Sequence, residues 1–250
     1  MIRLALFLLL LLPAPLHAEQ VVAGLSQSRI SISTNFDGSE ILIFGAVKRE
    51  DPITLDPPLQ VIVTVEGPSR PVAVRRKEKR FGIWVNTDTV EVDAAPTYYA
   101  VATSAPWEAT INDIEDLRHK VSIRRAIRSV GATIEGSEDF TDALIRIRER
   151  KDLYQTNIGS VRFDESTLFN TSVKLPANLT EGDYTARFVL TRGGEVLDIH
   201  QKVIPVQKVG LERFLFRLAH DQPLVYGLMS LAIAIAAGWG ASAMFRFIRN

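Results

Sequence analysis

The sequence predicts a mainly β fold: an immunoglobulin-like β-sandwich with a two-helix insertion, followed by one C-terminal transmembrane helix. Three observations predict it. Short runs rich in Val, Ile and aromatics recur at about ten-residue spacing, as in sandwiches. The apolar period switches from two to helical between about 110 and 156. An uncharged apolar run from Leu224 to Phe245 closes the chain.

Taken in order, the first eighteen residues read as a secretory signal. Arg3 supplies a positive start, Leu4 to Leu12 is unbroken and apolar, and Pro13 and Pro15 end the run before Leu16-His17-Ala18. The run falls well short of the roughly twenty residues a membrane span needs. Cleavage is expected after Ala18. An uncleaved signal anchor is the other reading; a lipoprotein would need a cysteine, and the chain has none.

Residues 19–210 are expected to form the exported β-rich domain. Ile30-Ser31-Ile32-Ser33 alternates, and Glu40 to Val47 is apolar. Asp51 to Pro58 reads as a loop. In Leu59 to Val65, Val61, Val63 and Val65 share one face, with Ile62 and Thr64 on the other. Pro71 to Arg75, Phe81 to Asn86, Thr89 to Asp93 and Tyr98 to Thr103 continue the β pattern. Asn112, with Glu115 three residues on, reads as a capping box. Ile114, Leu117, Val121, Ile127 and Val130 then follow helical spacing up to a stop at Gly131, and Phe140, Leu144, Ile147 and Tyr154 mark a second amphipathic helix. Strands return at Leu168 to Leu175, Asp183 to Thr191 and Glu195 to Val206, with Gly193-Gly194 as a hairpin turn. Tyr184 sits where immunoglobulin-like sandwiches carry a corner tyrosine. One sandwich with an insertion is the economical reading; two domains divided by the helices is the alternative.

Residues 211–222 suggest a juxtamembrane amphipathic helix whose Phe214, Leu215 and Leu218 suit a membrane surface. Residues 223–245 are long enough, at about 1.5 Å per residue, to cross a hydrocarbon core of roughly 30 Å. Pro223 stands at the start, Tyr226 and Trp239 lie towards the ends, and Arg246 and Arg249 follow in the tail 246–250. A signal peptide sends the chain out, so this helix returns it, and the arginines satisfy the positive-inside rule.

Composition excludes some functions. The 250 residues carry a formal net charge of zero, so no global field draws nucleic acid. The absence of cysteine removes thiolate catalysis and disulfide exchange. His119, His200 and His220 show no ligand spacing, and no nucleophile elbow, phosphate loop or dinucleotide fingerprint occurs. No catalytic, metal-ligating or cofactor-binding residue is therefore assigned, and no cofactor is expected. A triad assembled from dispersed residues stays open.

Two patterns suggest contact surfaces. Arg75-Arg76-Lys77-Glu78-Lys79-Arg80 reads as a hairpin tip. With Phe81 and Trp84 adjacent, it suits an anion, a lipid headgroup or a partner; a merely solvated tip is the plainer reading. Arg118, Lys120, Arg124, Arg125 and Arg128 form a second basic cluster, and convergence of the two would favour an anionic partner. In the apolar helix Ala234, Gly238 and Ser242 make a small-residue ridge fit for helix–helix packing, against a second copy or a polytopic membrane protein.

Several stretches resemble an uncharacterised transmembrane protein family of alphaproteobacteria: Phe81 to Asn86, Tyr98 to Ser104, Asp139-Phe140 with Ala143 to Arg146, Leu153-Tyr154, Leu175 to Asn178, and Gly182 to Tyr184. The resemblance implies a Gram-negative inner membrane, a periplasmic domain and a cytoplasmic C-terminus, and no activity. The expectation is a membrane-anchored periplasmic interaction module, of which an accessory subunit of an inner-membrane transporter or envelope complex is one form. The rivals are a periplasmic enzyme with an unrecognised site and a binder of an anionic solute or glycan.

Overall fold

The computed structural model describes residues 19–33, 36–49, 56–129, 137–165, 167–209 and 211–248. The expected signal, most of the Asp51 to Pro58 loop, Val130 and the stop at Gly131 lie outside the described residues. The strands are β1 (Gln20–Leu25), β2 (Ile30–Ile32), β3 (Ser39–Lys48), β4 (Leu59–Glu66), β5 (Ser69–Arg80), β6 (Ile83–Pro96), β7 (Tyr99–Thr103), β8 (Tyr154–Asn157), β9 (Arg162–Asp164), β10 (Leu168–Leu175), β11 (Gly182–Arg192) and β12 (Glu195–Lys208). The helices are α1 (Trp107–Thr110), α2 (Asp113–His119), α3 (Ile123–Ala126), α4 (Ser137–Glu149), α5 (Leu211–Asp221) and α6 (Pro223–Ile248). The protein is mainly β, with one C-terminal apolar helix of membrane-span length.

The chain divides into two compact units, one within Met1–Ile30 and Asp37–Val206, the other within Ser31–Phe36 and Gln207–Asn250. The strands form a sheet of order β1-β3-β10-β9, a sheet of order β2-β12-β11-β4-β7-β8, and the separate ribbon β5-β6.

In the first unit, alternation sorts side chains between layers. Ile41, Ile43 and Val47 of β3 are buried, while Leu42 and Phe44 between them are exposed. Phe169 of β10 meets Phe188 of β11 with ring centroids 6.1 Å apart. The Tyr98 hydroxyl donates to the Lys174 carbonyl at 2.8 Å. These contacts pack β10 against the larger sheet. The opposite face of that sheet also carries a core. Ile62, Tyr99, Val101 and Val189 pack with Ile111, Val121, Ile123, Phe140 and Leu144 from the helical segment, and with Val74, Val90 and Val92 from the ribbon. Strand β4 is thus covered on both faces, and every residue from Val61 to Val65 is buried.

The Gly193-Gly194 turn forms as expected, with φ of 59° and 84°. Both values are positive, as a two-residue hairpin loop of the primed type requires. Tyr184 is fully buried, and its hydroxyl donates to the Thr180 carbonyl at 2.9 Å. That is the hydrogen bond a corner tyrosine makes.

The helical segment differs from expectation. Helices α1 to α4, four rather than two, occupy it among the described residues, and they connect two parallel neighbours, β7 and β8. A crossover of this kind is what parallel strands need; an all-antiparallel sandwich has none. Asn112 caps α2 by accepting from the Glu115 N–H at 2.8 Å, but its own N–H donates to Gly194, so the box is only half made. Lys120 then turns left-handed at φ 51°, and the Asp116 carboxylate accepts from the Val121 and Ser122 N–H groups. The turn breaks the helical period, which leaves Ile114 and Leu117 exposed while Val121 and Ile127 are buried. Tyr154, expected on a helix, opens β8 instead and is buried there.

In the second unit, the Val209 N–H donates to the Ile32 carbonyl at 2.8 Å. Helix α5 follows, and α6 contains a twenty-residue apolar stretch, Pro223–Ser242, with no part of it buried by the chain. The Phe214 side chain and residues 249–250 lie outside the described parts.

Candidate functional site: the basic hairpin

The charged run does not form a loop. Arg75 to Arg80 continue β5, paired in register with β6: Arg75 with Thr89, Arg76 with Asp88, Lys77 with Asn86, Lys79 with Trp84 and Arg80 with Ile83. The expected tip is therefore corrected: the turn is Phe81-Gly82, with φ of 50° and 85°. Pairing within the two-stranded ribbon satisfies the inward backbone groups and leaves the outer edges to water, so the charged run stays solvated without forming a loop. A bulge between Arg76 and Lys77 marks where the ribbon leaves the core. Towards the root, Val74 and Val90 are buried; towards the turn, Arg75, Lys77, Lys79, Arg80, Ile83 and Trp84 are all exposed.

Six side chains were singled out there from sequence: Arg75, Arg76, Lys77, Lys79, Arg80 and Trp84. The ribbon carries them all, but not in one role. Arg76 belongs to the root. It lies 3.7 Å from Asp88 and 4.0 Å from Asp139, and its guanidinium sits 4.9 Å over the Phe140 ring. Arg80 reaches Glu78 on its own strand at 3.5 Å. Arg75, Lys77 and Lys79 make no ion pair among the described residues. Phe81 is fully exposed at the turn, and Ile83 and Trp84 are 65% and 68% exposed. Sequence reading passed over Ile83. Its signal was the pair Ile83-Trp84, two adjacent apolar residues that no single covering layer can bury.

Two members of the second cluster are paired within the helical segment. Arg118 pairs with Glu115, and Arg124 forms a bidentate pair with Asp142 at 2.9 and 3.0 Å. Arg128 bridges to Ala94 through its backbone. Ala94 lies eleven positions along β6 from Ile83, on the order of 30 Å at strand rise. That contact joins the cluster to the root of the hairpin, away from its tip.

A second polar constellation escaped the sequence reading because its members lie far apart in the chain. Arg187 donates to the His119 carbonyl at 2.8 Å, the Lys120 carbonyl at 2.9 Å, the Tyr99 hydroxyl at 3.1 Å and the Thr64 hydroxyl at 3.2 Å. Burial pushes the Tyr99 phenol up to about 12, against the pull of Arg187. Burial likewise raises Glu66 above the usual carboxylate range, with Arg187 again opposing. Four of the five guanidinium N–H groups are taken by the protein's own acceptors. The constellation is a clasp between sheet and helices, with little donor capacity for a ligand.

The histidines are dispersed. His119 lies 3.2 Å from Glu115, His200 stands beside Phe188 with ring centroids 6.0 Å apart, and His220 stacks on Phe216 at 4.1 Å. On α6, Ala234, Gly238 and Ser242 are exposed, and a Cβ added at Gly238 would meet nothing within 4 Å.

The family described as Putative transmembrane protein (Alph_Pro_TM) matches residues 20–247, nearly the whole chain. The chain belongs to that family. No curated protein matches the sequence. As an Alph_Pro_TM member the protein has one candidate membrane helix, α6, and a β-rich unit ahead of it; the family's description names no activity or partner.

Proposed function

We propose that this Alph_Pro_TM protein is a membrane-anchored periplasmic interaction module. In this reading the signal is removed after Ala18, the β-rich unit is exported, α6 crosses the inner membrane once, and Arg246 and Arg249 stay in the cytoplasm. The observation that carries the reading is the hairpin: an exposed ribbon with apolar side chains at its turn, in a chain that also holds a helix of membrane-span length. The Arg187 constellation, by contrast, is engaged internally.

The N-terminus supports processing at that point. Strand β1 begins at Gln20, so cleavage leaves it whole. Glu19 pairs with Arg49 at 2.8 Å and with Arg192 at 2.9 Å, which ties the new end to the sheet. The ridge Ala234, Gly238 and Ser242 is the proposed packing surface for a second copy or a polytopic membrane protein, such as a transporter or envelope complex that this chain would accompany. The expected signal peptide and the alphaproteobacterial name of the family support the reading of an inner membrane with the β-rich unit on its periplasmic side.

A reporter active only in the periplasm tests the topology. Fused after Gln207 it is expected to be active, and fused at Asn250 silent; activity at Asn250 overturns the single-span reading. Gly238→Leu tests the ridge. It keeps α6 apolar, fills the groove and is expected to reduce detergent-stable complexes, while Leu231→Ile leaves them unchanged. Complexes untouched by Gly238→Leu would make α6 an anchor alone.

A further inference from the structure

We propose that the turn of the β5–β6 hairpin is a second membrane contact, which enters the surface of an anionic lipid bilayer end-on. The proposal rests on the reading of the chain as a tethered interaction module and names the partner of its hairpin.

The distribution of side chains around the ribbon carries the inference. Cross-strand neighbours share a face, so Trp84 lies with Lys79 on one side, and Ile83 lies with Arg80 on the other. Each face therefore shows one apolar side chain next to one cation, and Phe81 projects from the end. A flat protein partner would cover one face and leave the other apolar residue in water. A bilayer surrounds the end of the ribbon and covers both faces alike. The order along the ribbon also fits: Phe81 at the turn, then two rungs that each pair a cation with an apolar residue, Arg80 with Ile83 and Lys79 with Trp84, and Lys77 further back. Aromatic and basic side chains take that order at the boundary between acyl chains and headgroups.

Charge selects the lipid. Between Arg75 and Val85 stand five cations and one carboxylate, Glu78. Arg76 is drawn to the root, but Arg75, Lys77 and Lys79 meet no counter-ion among the described residues. Clusters of this kind are attracted to anionic leaflets within a Debye length.

The backbone adds an independent sign. Phe81 occupies the left-handed region at φ 50°, at a turn position where Asn or Gly fits without strain. An aromatic there gains nothing inside the protein, because it is fully exposed. Its side chain has value only against something outside. In the reading of a tethered module, anchoring by α6 raises the effective concentration of the bilayer, so a contact too weak to recruit a free protein can still be occupied.

The chain contains no cysteine, so Ile83→Cys provides a unique thiol for a nitroxide in the otherwise intact protein. The full chain is reconstituted into vesicles of phosphatidylcholine alone and of an equal mixture with phosphatidylglycerol. In the mixture the Ile83 label is expected to gain accessibility to oxygen and lose it to a water-soluble nickel reagent. A label on Thr89→Cys, further from the turn, should stay in water. Joint neutralisation of Lys77, Lys79 and Arg80 to Gln should lower the partition constant for insertion by about a hundredfold, from roughly fivefold per basic residue near such a surface. Phe81→Asn, which suits the turn and preserves the hairpin, should lower it as well.

An Ile83 label that stays in water in both lipids, in a protein of unchanged circular dichroism, overturns the proposal. So does equal insertion in both, which removes the anionic selectivity. Immobilisation of the label only when other membrane proteins are added would assign the hairpin to a protein partner; that overturns the lipid contact and leaves the interaction module standing. A silent periplasmic reporter after Gln207 would sink the topology without touching the vesicle result.

Discussion

Strands β4 and β5 follow each other in the chain and have opposite fates. Both begin as valine alternations, Val61-Val63-Val65 in one and Val72-Val74 in the other. In β4 every residue from Val61 to Val65 is buried, because the sheet around it has a layer on each side. In β5 Val74 is the last buried residue; beyond it the described residues cover only the Arg76 guanidinium, over Phe140, and leave the rest of the ribbon in water. Alternation announces a strand; it does not announce how many layers will cover it. The difference separates a part of the molecule that serves the fold from a part free to serve contact.

The sharpest way to break the comparison is to take away what covers β4. A fragment of residues 20–108 keeps β4 and the hairpin but lacks β10, β11 and β12. It is expected to show no cooperative thermal transition, because β4 loses its β11 neighbour and exposes an apolar edge. A cooperative transition would mean that the first strands form a domain of their own.

Point mutations come next. Phe188→Ala, at the heart of the packed layers, is expected to cost about 3–5 kcal/mol in denaturant unfolding. Trp84→Ala, on the ribbon, should stay within about 0.5 kcal/mol in detergent without lipid. Similar costs for the two would mean that the tip is covered from within the protein.

Alkali should weaken the core and spare the ribbon. Burial pushes Tyr99 and Tyr154 up to about 12 from an ordinary value of 10, with Arg187 and Arg148 partly opposing. The folded state keeps protons that the unfolded chain releases, so the stability they contribute is complete below pH 10 and is lost as pH rises towards 12. Phenolate absorbance and circular dichroism should change together in that interval. Absorbance that rises near pH 10 with the fold intact would show these phenols to be open to water.

The smallest effect belongs to the turn. Phe81→Asn should raise stability by up to about 1 kcal/mol, by relieving the left-handed strain of an aromatic residue. A loss of stability would show that Phe81 packs within the protein.

Much of the covered part was readable from the amino-acid order. The strand at Val61 to Val65, the Gly193-Gly194 turn and the Asn112 cap each depend on local chemistry. The ribbon was less readable. With water on both sides, Arg75 to Arg80 show no period, and a run of charges looks like a loop. Tyr154 failed differently: its distance from Phe140 and Leu144 fits a helix, while its place in β8 depends on Tyr99, far back in the chain. The charged and aromatic composition of the candidate site was visible; its geometry, with a cation opposite each apolar residue next to the turn, required the register of β5 with β6.

The pairing of β4 with β11 also sets a clock. Thr64 and Arg187, hydrogen-bonded neighbours in the finished sheet, are 123 residues apart in the chain. At synthesis rates of roughly 5–20 residues per second, the later strand follows the earlier by about 6 to 25 seconds. For that interval β4 has no β11 to pair with, and a long apolar edge waits open. Closure comes only as β11 and β12 arrive, with α6 next in line. The architecture thus leaves the larger sheet incomplete until the C-terminal apolar helix is almost made.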